Sequence, residues 1–368
     1  MLAKDIIKLI NNIAPSKLID KKWDNSGLQI GSLEKKVNKI LLVLDISPIT
    51  VKYALDNQID MILSHHPFFF TPIKSISSDE IKGKMIVDLV NNDIVVYSAH
   101  TNLDSAENGV SEILAKKLKL RDISVLSNSF TEKLYKVVVY VPISHKDSVR
   151  DAMTNQGAGF IGNYSHCTFN ITGTGTFMPR EGTNPYIGEA NRLEFVQEER
   201  IEAIVSDEGL TKVLDSMLKA HPYEEVAYDI YELYNKGKDY GYGRVGVLEK
   251  ESTLLDFAKQ VKETLNCDSI KVYGDTSRIT KRIAICGGSG IDFLNDVHFS
   301  GADTYVTGDI KYHDAQIALE KNIALIDAGH FYTENLAMSY IKNYLDEMTK
   351  GKVSTISFEE KSIPFITV

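Results

Sequence analysis

Short apolar runs alternate with amphipathic stretches towards both ends of the chain. KILLVLDIS (39–47) has the unbroken Ile, Leu and Val content of a strand buried on both faces, and PITVKYALDNQ (48–58) places apolar residues at helical spacing. DMILSHHPF (60–68) follows as a strand ending in a loop. A helix through KGKMIVDLVNN (82–92), a strand IVVYSAH (94–100) and a helix NGVSEILAKKLKL (108–120) complete the set. The same order returns late. Strand RIAICGGSG (282–290), helix GIDFLNDVHFSG (290–301), strand ADTYVTGD (302–309), helix YHDAQIALEKN (312–322), strand IALIDAGH (323–330) and helix ENLAMSYIKNYLDEM (334–348) repeat it. This pattern predicts a duplicated, two-lobed α/β core with helices on the sheets.

The middle of the chain departs from that repeat. Strand LYKVVVYVP, helix SHKDSVRDAMTNQ, strands SHCTFNITGTGTF and EFVQEERIEAIV, helix GLTKVLDSMLKAHP and strand EEVAYDIYEL run in the order βαββαβ. That is the order of a ferredoxin-like unit. SNSFTEK before it and NKGKDYGYGRVG after it read as linkers. The expected division is a first core lobe at 1–130, an inserted α+β domain at 131–235 and a second core lobe at 236–368. A chain of 368 residues suits such a division better than one compact core.

Charge narrows the partners. A net charge of −9 disfavours a general nucleic-acid or anionic-membrane binder, because phosphates are held mainly by Lys and Arg. A small phosphorylated substrate stays open, since metal ions can supply positive charge locally. Cys167, Cys267 and Cys286 are odd in number and far apart, so neither a disulfide framework nor a Cys-zinc site is indicated. The first fifteen residues form an amphipathic helix carrying Lys4 and Lys8 rather than a signal peptide, and no stretch is long and apolar enough to span a bilayer. Cytoplasm is the expected compartment.

The candidate chemistry sits where strands end. Each copy's third strand closes on a histidine with an acid four residues on: His100 and Asp104, then His330 and Glu334. The carboxyl edge of an open α/β sheet is where ligands bind. SHHP at 64–67 ends another strand at that edge. On a regular strand His65 and His66 would face opposite ways, but where the chain bends into Pro67 both rings can reach one site. Each residue also has a plain structural explanation. Asp104 suits a helix cap, Glu334 a helix dipole, and His330 a satisfied core position. Taken together, three imidazoles and two carboxylates are too many for one open ion and suit two, zinc foremost with iron or manganese as alternatives. Such a pair lowers the pKa of a bridging water and serves hydrolysis.

Other polar residues belong to the same rim. His100, Asp309 and His313 are candidates for supporting the ligands or moving protons. Asn25, in the turn-rich WDNSGLQIG, sits in a candidate mobile binding loop. Gly287, Gly288, Ser289 and Gly290 lie between a strand and a helix, where backbone N–H groups can hold an anion, although a tight turn explains them as well. His221, Glu224 and Glu225 read as a surface turn of the insertion.

The motifs WDNSGLQIG, ILSHHPFFF, SAHTNLDSAENG, GGSG, ADTYVTGDIKYHDA and IDAGHFYTE resemble those of the GTP cyclohydrolase I type 2 homologues, the Ngg-interacting-factor-three-like family. GAGFIGNYSHCTF, GTGTFMP and AHPYEEVAYDIYEL resemble the PII/CutA-like insertion of its longer bacterial members. The resemblance implies a dinuclear metal site: His66 and Asp104 on one ion, His65 and His330 on the other, and Glu334 bridging. It also implies a homohexameric ring with metal sites facing an internal cavity, and a reaction in which hydroxide attacks C8 of guanine and releases formate. No nucleotide fingerprint selects guanine here, so the substrate is left unnamed. A metal-dependent hydrolase is the first expectation. A non-catalytic metal-binding chaperone or regulatory assembly is the second, and nucleic-acid binding through a ring a distant third.

Overall fold

The computed structural model describes residues 1–358. Its strands in chain order are β1 (Gly27–Ile30), β2 (Lys39–Val43), β3 (Met61–Ser64), β4 (Val95–Ser98), β5 (Arg121–Thr131), β6 (Leu134–Pro142), β7 (Thr168–Phe177), β8 (Glu194–Ser206), β9 (Tyr228–Leu233), β10 (Asp239–Thr253), β11 (Lys271–Tyr273), β12 (Ile279–Ile285), β13 (Thr304–Thr307), β14 (Ala324–Asp327) and β15 (Ser354–Ser357). The chain divides into one compact unit of residues 1–130 with 240 onwards, and a second of residues 131–239.

The larger unit contains two sheets. The first runs β1-β4-β3-β2-β15 and the second β11-β14-β13-β12-β10-β5. In each, three consecutive strands are parallel: β2, β3 and β4, then β12, β13 and β14. Parallel strands need helical crossovers, so both faces are covered and every residue of β3, β4, β13 and β14 is buried. Alternation sorts the side chains. Ile40, Leu42, Met61, Leu63 and Val95 enter one core with Ile6 and Ile10 of the helix Ala3–Ile13, while Leu41, Val43, Ile62 and Val96 enter another with Val51, Ala54 and Leu89. Each aliphatic side chain so buried contributes roughly 1.5–3 kcal/mol before entropy is counted. Ser47 sets the first crossover helix, its hydroxyl accepting from Thr50 N–H at 3.3 Å ahead of Pro48.

The duplication extends further than the apolar runs suggest. Each copy also begins with a helix (Ala3–Ile13, Leu254–Leu265) and a short antiparallel strand beside its third parallel strand, β1 on β4 and β11 on β14. At four and three residues, β1 and β11 are too short to show a period. The copies are also interlaced. The helix Leu336–Thr349 buries Met338, Ile341 and Leu345 in the first copy's core, Leu114 and Leu118 pack in the second's, and β15 joins β2. The segments expected as linkers are strand over much of their length: β5 continues through Thr131 and β10 begins at Asp239, leaving 132–133 and 235–238 outside strands.

The smaller unit has the connectivity βαββαβ, with its four strands in the order β7-β8-β6-β9 and every pairing antiparallel. Val137, Val139, Val141, Ile201, Ala203 and Val205 point to one face, where Val149, Met153, Val213 and Met217 of its two helices cover them. His221 is buried, contrary to its reading as surface. It ends the helix Asp207–Ala220, and its Nε2 lies 2.9 Å from the Tyr140 carbonyl, a partner the sequence does not reveal. Among the described residues, no helix is long and apolar enough to cross a membrane.

Candidate metal centre

The candidate donors collect beyond the carboxyl ends of the parallel strands of the larger unit. β3 and β4 finish side by side, with the Ser64 and Ser98 hydroxyls 2.8 Å apart. The chain then bends at His65 and His66. Their backbone N–H groups donate to the Val43 and Leu44 carbonyls, and the two rings stand 5.1 Å apart at 48°. From the first copy Asp104 enters on the short helix Thr101–Ser105. From the second, His330 and Glu334 occupy one face of the helix His330–Glu334.

The distances define one cluster. Glu334 Oε2 is 2.9 Å from His330 Nε2 and 3.1 Å from His66 Nε2, and Oε1 is 3.9 Å from His65 Nε2. Asp104 Oδ1 is 3.5 Å from His65 Nε2, and the Nε2 atoms of His66 and His330 are 3.3 Å apart. Three groups have donor atoms close enough to hold an ion: His66, His330 and Glu334; His65, Asp104 and Glu334; and His65, His66 and His100. Glu334, His65 and His66 each belong to two of them. These groupings place His66 with His330 and His65 with Asp104, whereas the resemblance implies His66 with Asp104 and His65 with His330.

Each imidazole is aimed by its other nitrogen. Nδ1 of His65 lies 2.8 Å from the Ala99 carbonyl, that of His66 2.7 Å from Asp45 Oδ1, that of His330 2.7 Å from Asp309 Oδ2 and that of His100 3.0 Å from Asp24 Oδ1. An acceptor at Nδ1 keeps the proton there and turns the Nε2 lone pair inward, the arrangement of metal-ligating histidines. Inside the cluster, His65 Nε2 is buried without a hydrogen-bond partner, while Glu334 Oε2 is within ion-pair distance of His66 and His330. Orphaned buried polar atoms are costly, and inward lone pairs facing carboxylates repel unless a cation lies among them. The donor set therefore fits a divalent metal.

Without an ion, protons on two of the rings supply that charge. Burial pushes the His65 imidazole down to about 3, so it is neutral. Burial also opposes charge on His66, but Asp45 and Glu334 outweigh it and raise this ring to about 10. His330 rises to about 9 against burial, through Glu334 and Asp309. Burial lifts Asp104 to about 7, whereas Glu334, equally buried, is held well below the ordinary carboxylate range by His330 and His66.

The outlying candidates divide. His100 and Asp309 touch the cluster as described. His313 does not join this network: it is exposed, and its Nδ1 pairs with Gln316 of its own helix. The 287–290 loop is a poor anion cradle, because three of its four N–H groups are already spent. Gly287 donates to Ser111 Oγ, Gly288 to Thr333 Oγ1 and Gly290 to Thr307 Oγ1, at 3.3, 2.9 and 2.9 Å, while the Ser289 side chain is exposed. The glycines instead make room. A Cβ on Gly288, whose φ is +62°, would fall 2.0 Å from Glu334 Oε1, and one on Gly287 3.3 Å from Glu334 Cγ. Asn25 donates to the Phe69 carbonyl at 2.7 Å and so ties two loops together. Its neighbour Asp24 is pinned rather than mobile. Burial would raise the Asp24 carboxyl, but His100, Ser26 and Thr101 hold it near 2. Sequence reasoning missed Asp24 and Asp45 as orienting carboxylates. Asp45 carried a signal, since it follows β2 at the same edge as the histidines.

The family model described as Duf34/NIF3 (NGG1p interacting factor 3) matches residues 1–364. The GTP cyclohydrolase 1 type 2 homolog of Halalkalibacterium halodurans is 42% identical over 347 residues, spanning 94% of this chain and 93% of that one. Its namesake in Bacillus subtilis is 39% identical over 349 residues, spanning 95% and 93%. Among solved structures, a Bacillus cereus protein related to NIF3 superimposes with a TM-score of 0.94 at 40% identity, covering 100% of this chain and 99% of that one. Likeness of this extent runs through both copies of the duplicated unit and the segment between them, and the chain belongs to the Duf34/NIF3 family.

Proposed function

We propose that the chain holds two divalent metal ions, zinc foremost, through His65, His66, Asp104, His330 and the shared carboxylate Glu334, and that it is a metal-dependent hydrolase. The observation that carries this is the orphaned buried His65 Nε2 facing Asp104 and Glu334, in a cluster whose imidazoles are all aimed inward. Bound there, the ions would supply Lewis acidity and an activated water for hydrolysis near neutral pH. The chain's own residues fix the donors: Asp45, Asp309 and the Ala99 carbonyl lock three rings, and the Gly288 bend admits Glu334. The relatives' printed name makes opening of a guanine ring one candidate reaction, with phosphoester hydrolysis as the other.

Elemental analysis of the purified protein is expected to find two ions per chain. A metal-replete screen of nucleotides, phosphoesters and cyclic amides is then expected to find turnover that Asp104→Ala abolishes. Absence of bound metal would overturn the metal centre. Two ions without any turnover would transfer the site to the non-catalytic alternative, a metal-handling or regulatory assembly.

Metal binding should depend steeply on pH, and the sign follows from the metal-free rings. At neutrality His66 and His330 carry protons, held by neighbouring carboxylates to about 10 and about 9. An ion must displace both, so affinity rises with pH and falls in acid. Two displaced protons give up to roughly a hundredfold per pH unit around neutrality. Competitive chelator titrations at several pH values measure the slope, and a flat profile would show that these rings are not ligands.

A further inference from the structure

Beside the cluster, an open cleft of about 470 Å³ is walled by two loops, residues 21–25 and 69–73. The loops are fixed to each other. Asn25 donates to the Phe69 carbonyl at 2.7 Å, and Phe69 N–H donates to Gln29 Oε1 at 3.1 Å. Two large rings line the cleft yet stay open to solvent, Trp23 at 54% and Phe70 at 49% exposure. Exposed aromatic surface gathered in a concavity marks a binding site more often than a plain surface does. Trp23 is held in place by its indole N–H, which donates to Asp20 Oδ2 at 3.2 Å.

The cleft leads to the metal donors. Trp23 and Phe70 each meet His100 edge-on, with centroids 5.4 and 5.6 Å away at 87° and 85°. His100 in turn lies 5.2 Å from His65 and 5.5 Å from His66, and Phe70 itself stands 6.4 Å from His66, so the aromatic walls reach the candidate ligands. Lys21 and Lys22 line the same cleft. Among the described residues neither ammonium has an ion pair, in a chain whose net charge is −9. The one carboxylate lining it, Asp24, is taken up by His100, Ser26 and Thr101. Asp20 is likewise engaged by the Trp23 indole and the Lys22 backbone N–H, so the two ammonium groups are the charges left without a partner beside the exposed rings.

We propose that this cleft is the substrate subsite and takes a flat aromatic ring bearing an anionic group. The ring lies against Trp23 and Phe70, and the anion meets Lys21 and Lys22. The inference deepens the hydrolase reading and rests on it for its catalytic meaning, while the binding itself needs no metal. Stacking tolerates many rings, because every aromatic presents a π-face. A nucleoside monophosphate and an aryl carboxylate share this chemistry, and the test distinguishes them.

The full chain, metal-free and metal-loaded, is titrated by calorimetry with adenosine monophosphate, naphthoate, adenosine and inorganic phosphate. Trp23 is the sole tryptophan, so its emission reports occupancy directly. The expected result is saturable binding of at least one ring-bearing anion with a shift in Trp23 emission, in metal-free protein too. Trp23→Ala and Phe70→Ala should each weaken it by roughly tenfold, within the range of a lost stacking contact. Trp23→Phe, which keeps a ring, should retain it and so separates stacking from misfolding. The double variant Lys21→Glu, Lys22→Glu should erase the preference for the anion over adenosine. Binding of the nucleotide alone assigns nucleotides, and of naphthoate alone aryl acids. Failure of both ring-bearing anions to bind, equal binding by inorganic phosphate, or indifference to Trp23→Ala would overturn the proposal. Because the readout does not need metal, its failure is distinguishable from failure of the metal centre.

Discussion

Glu334→Ala is expected to purify with less than about a tenth of the parent's metal, the largest loss that any single donor should cause. Its two oxygens lie within reach of three imidazoles, at 2.9, 3.1 and 3.9 Å, which suits a carboxylate shared between two ions. Its removal also changes the rings. Glu334 helps to hold His66 and His330 protonated, and without it their Nε2 atoms face each other at 3.3 Å with no charge between them. In metal-free protein the variant should lose about 3 kcal/mol, the low end for breaking a buried ion pair, because His330 is partly open to solvent. Elemental analysis measures the first effect and chemical denaturation the second. Undiminished metal in the variant would remove Glu334 from its shared role, whatever happens to stability.

Gly288→Ala should come close to this without touching a donor. At φ +62° an L-residue costs about 1–2 kcal/mol in the backbone, and the new Cβ would stand 2.0 Å from Glu334 Oε1 and 3.2 Å from His330 Nε2. That overlap must move the carboxylate, and metal affinity should fall at least tenfold, as it does when the support of a ligand is removed. Gly301→Ala is the control. Gly301 has φ +72° and nothing within 4 Å of its would-be Cβ, so it incurs the backbone cost alone. Thermal melts of the two metal-free variants and metal titrations of both separate strain from displacement. If the two variants bind metal equally well, Gly288 is a turn and nothing more.

The parts of this fold legible in the sequence are those whose physics is local. β2, β3, β13 and β14 announce themselves as apolar runs because parallel strands are buried on both faces. The five candidate ligands stand out because strand ends and the following helix turn place them at one edge of each copy. What was hidden depends on partners far along the chain. β5 and β10 look like linkers until they pair within the second sheet. The 287–290 loop looks like an anion cradle until Ser111, Thr333 and Thr307 are seen to occupy three of its N–H groups, the first of them 176 residues away. Asp45 and Asp24 have no motif of their own, since a carboxylate that orients a histidine is defined by the ring it meets.

The interlacing of the two copies bears on how the molecule is made. His66 and His330 touch across 264 residues, and the helix and strand that finish the first copy's core and sheet lie after residue 335. During synthesis His65, His66 and Asp104 leave the ribosome long before their partners exist, and they wait beside a sheet that still lacks its last strand. Loop closure over such a span is a late event in folding. The nascent chain therefore cannot bring His330 or Glu334 to the cluster, and the two groupings that contain Glu334 exist only in a finished subunit.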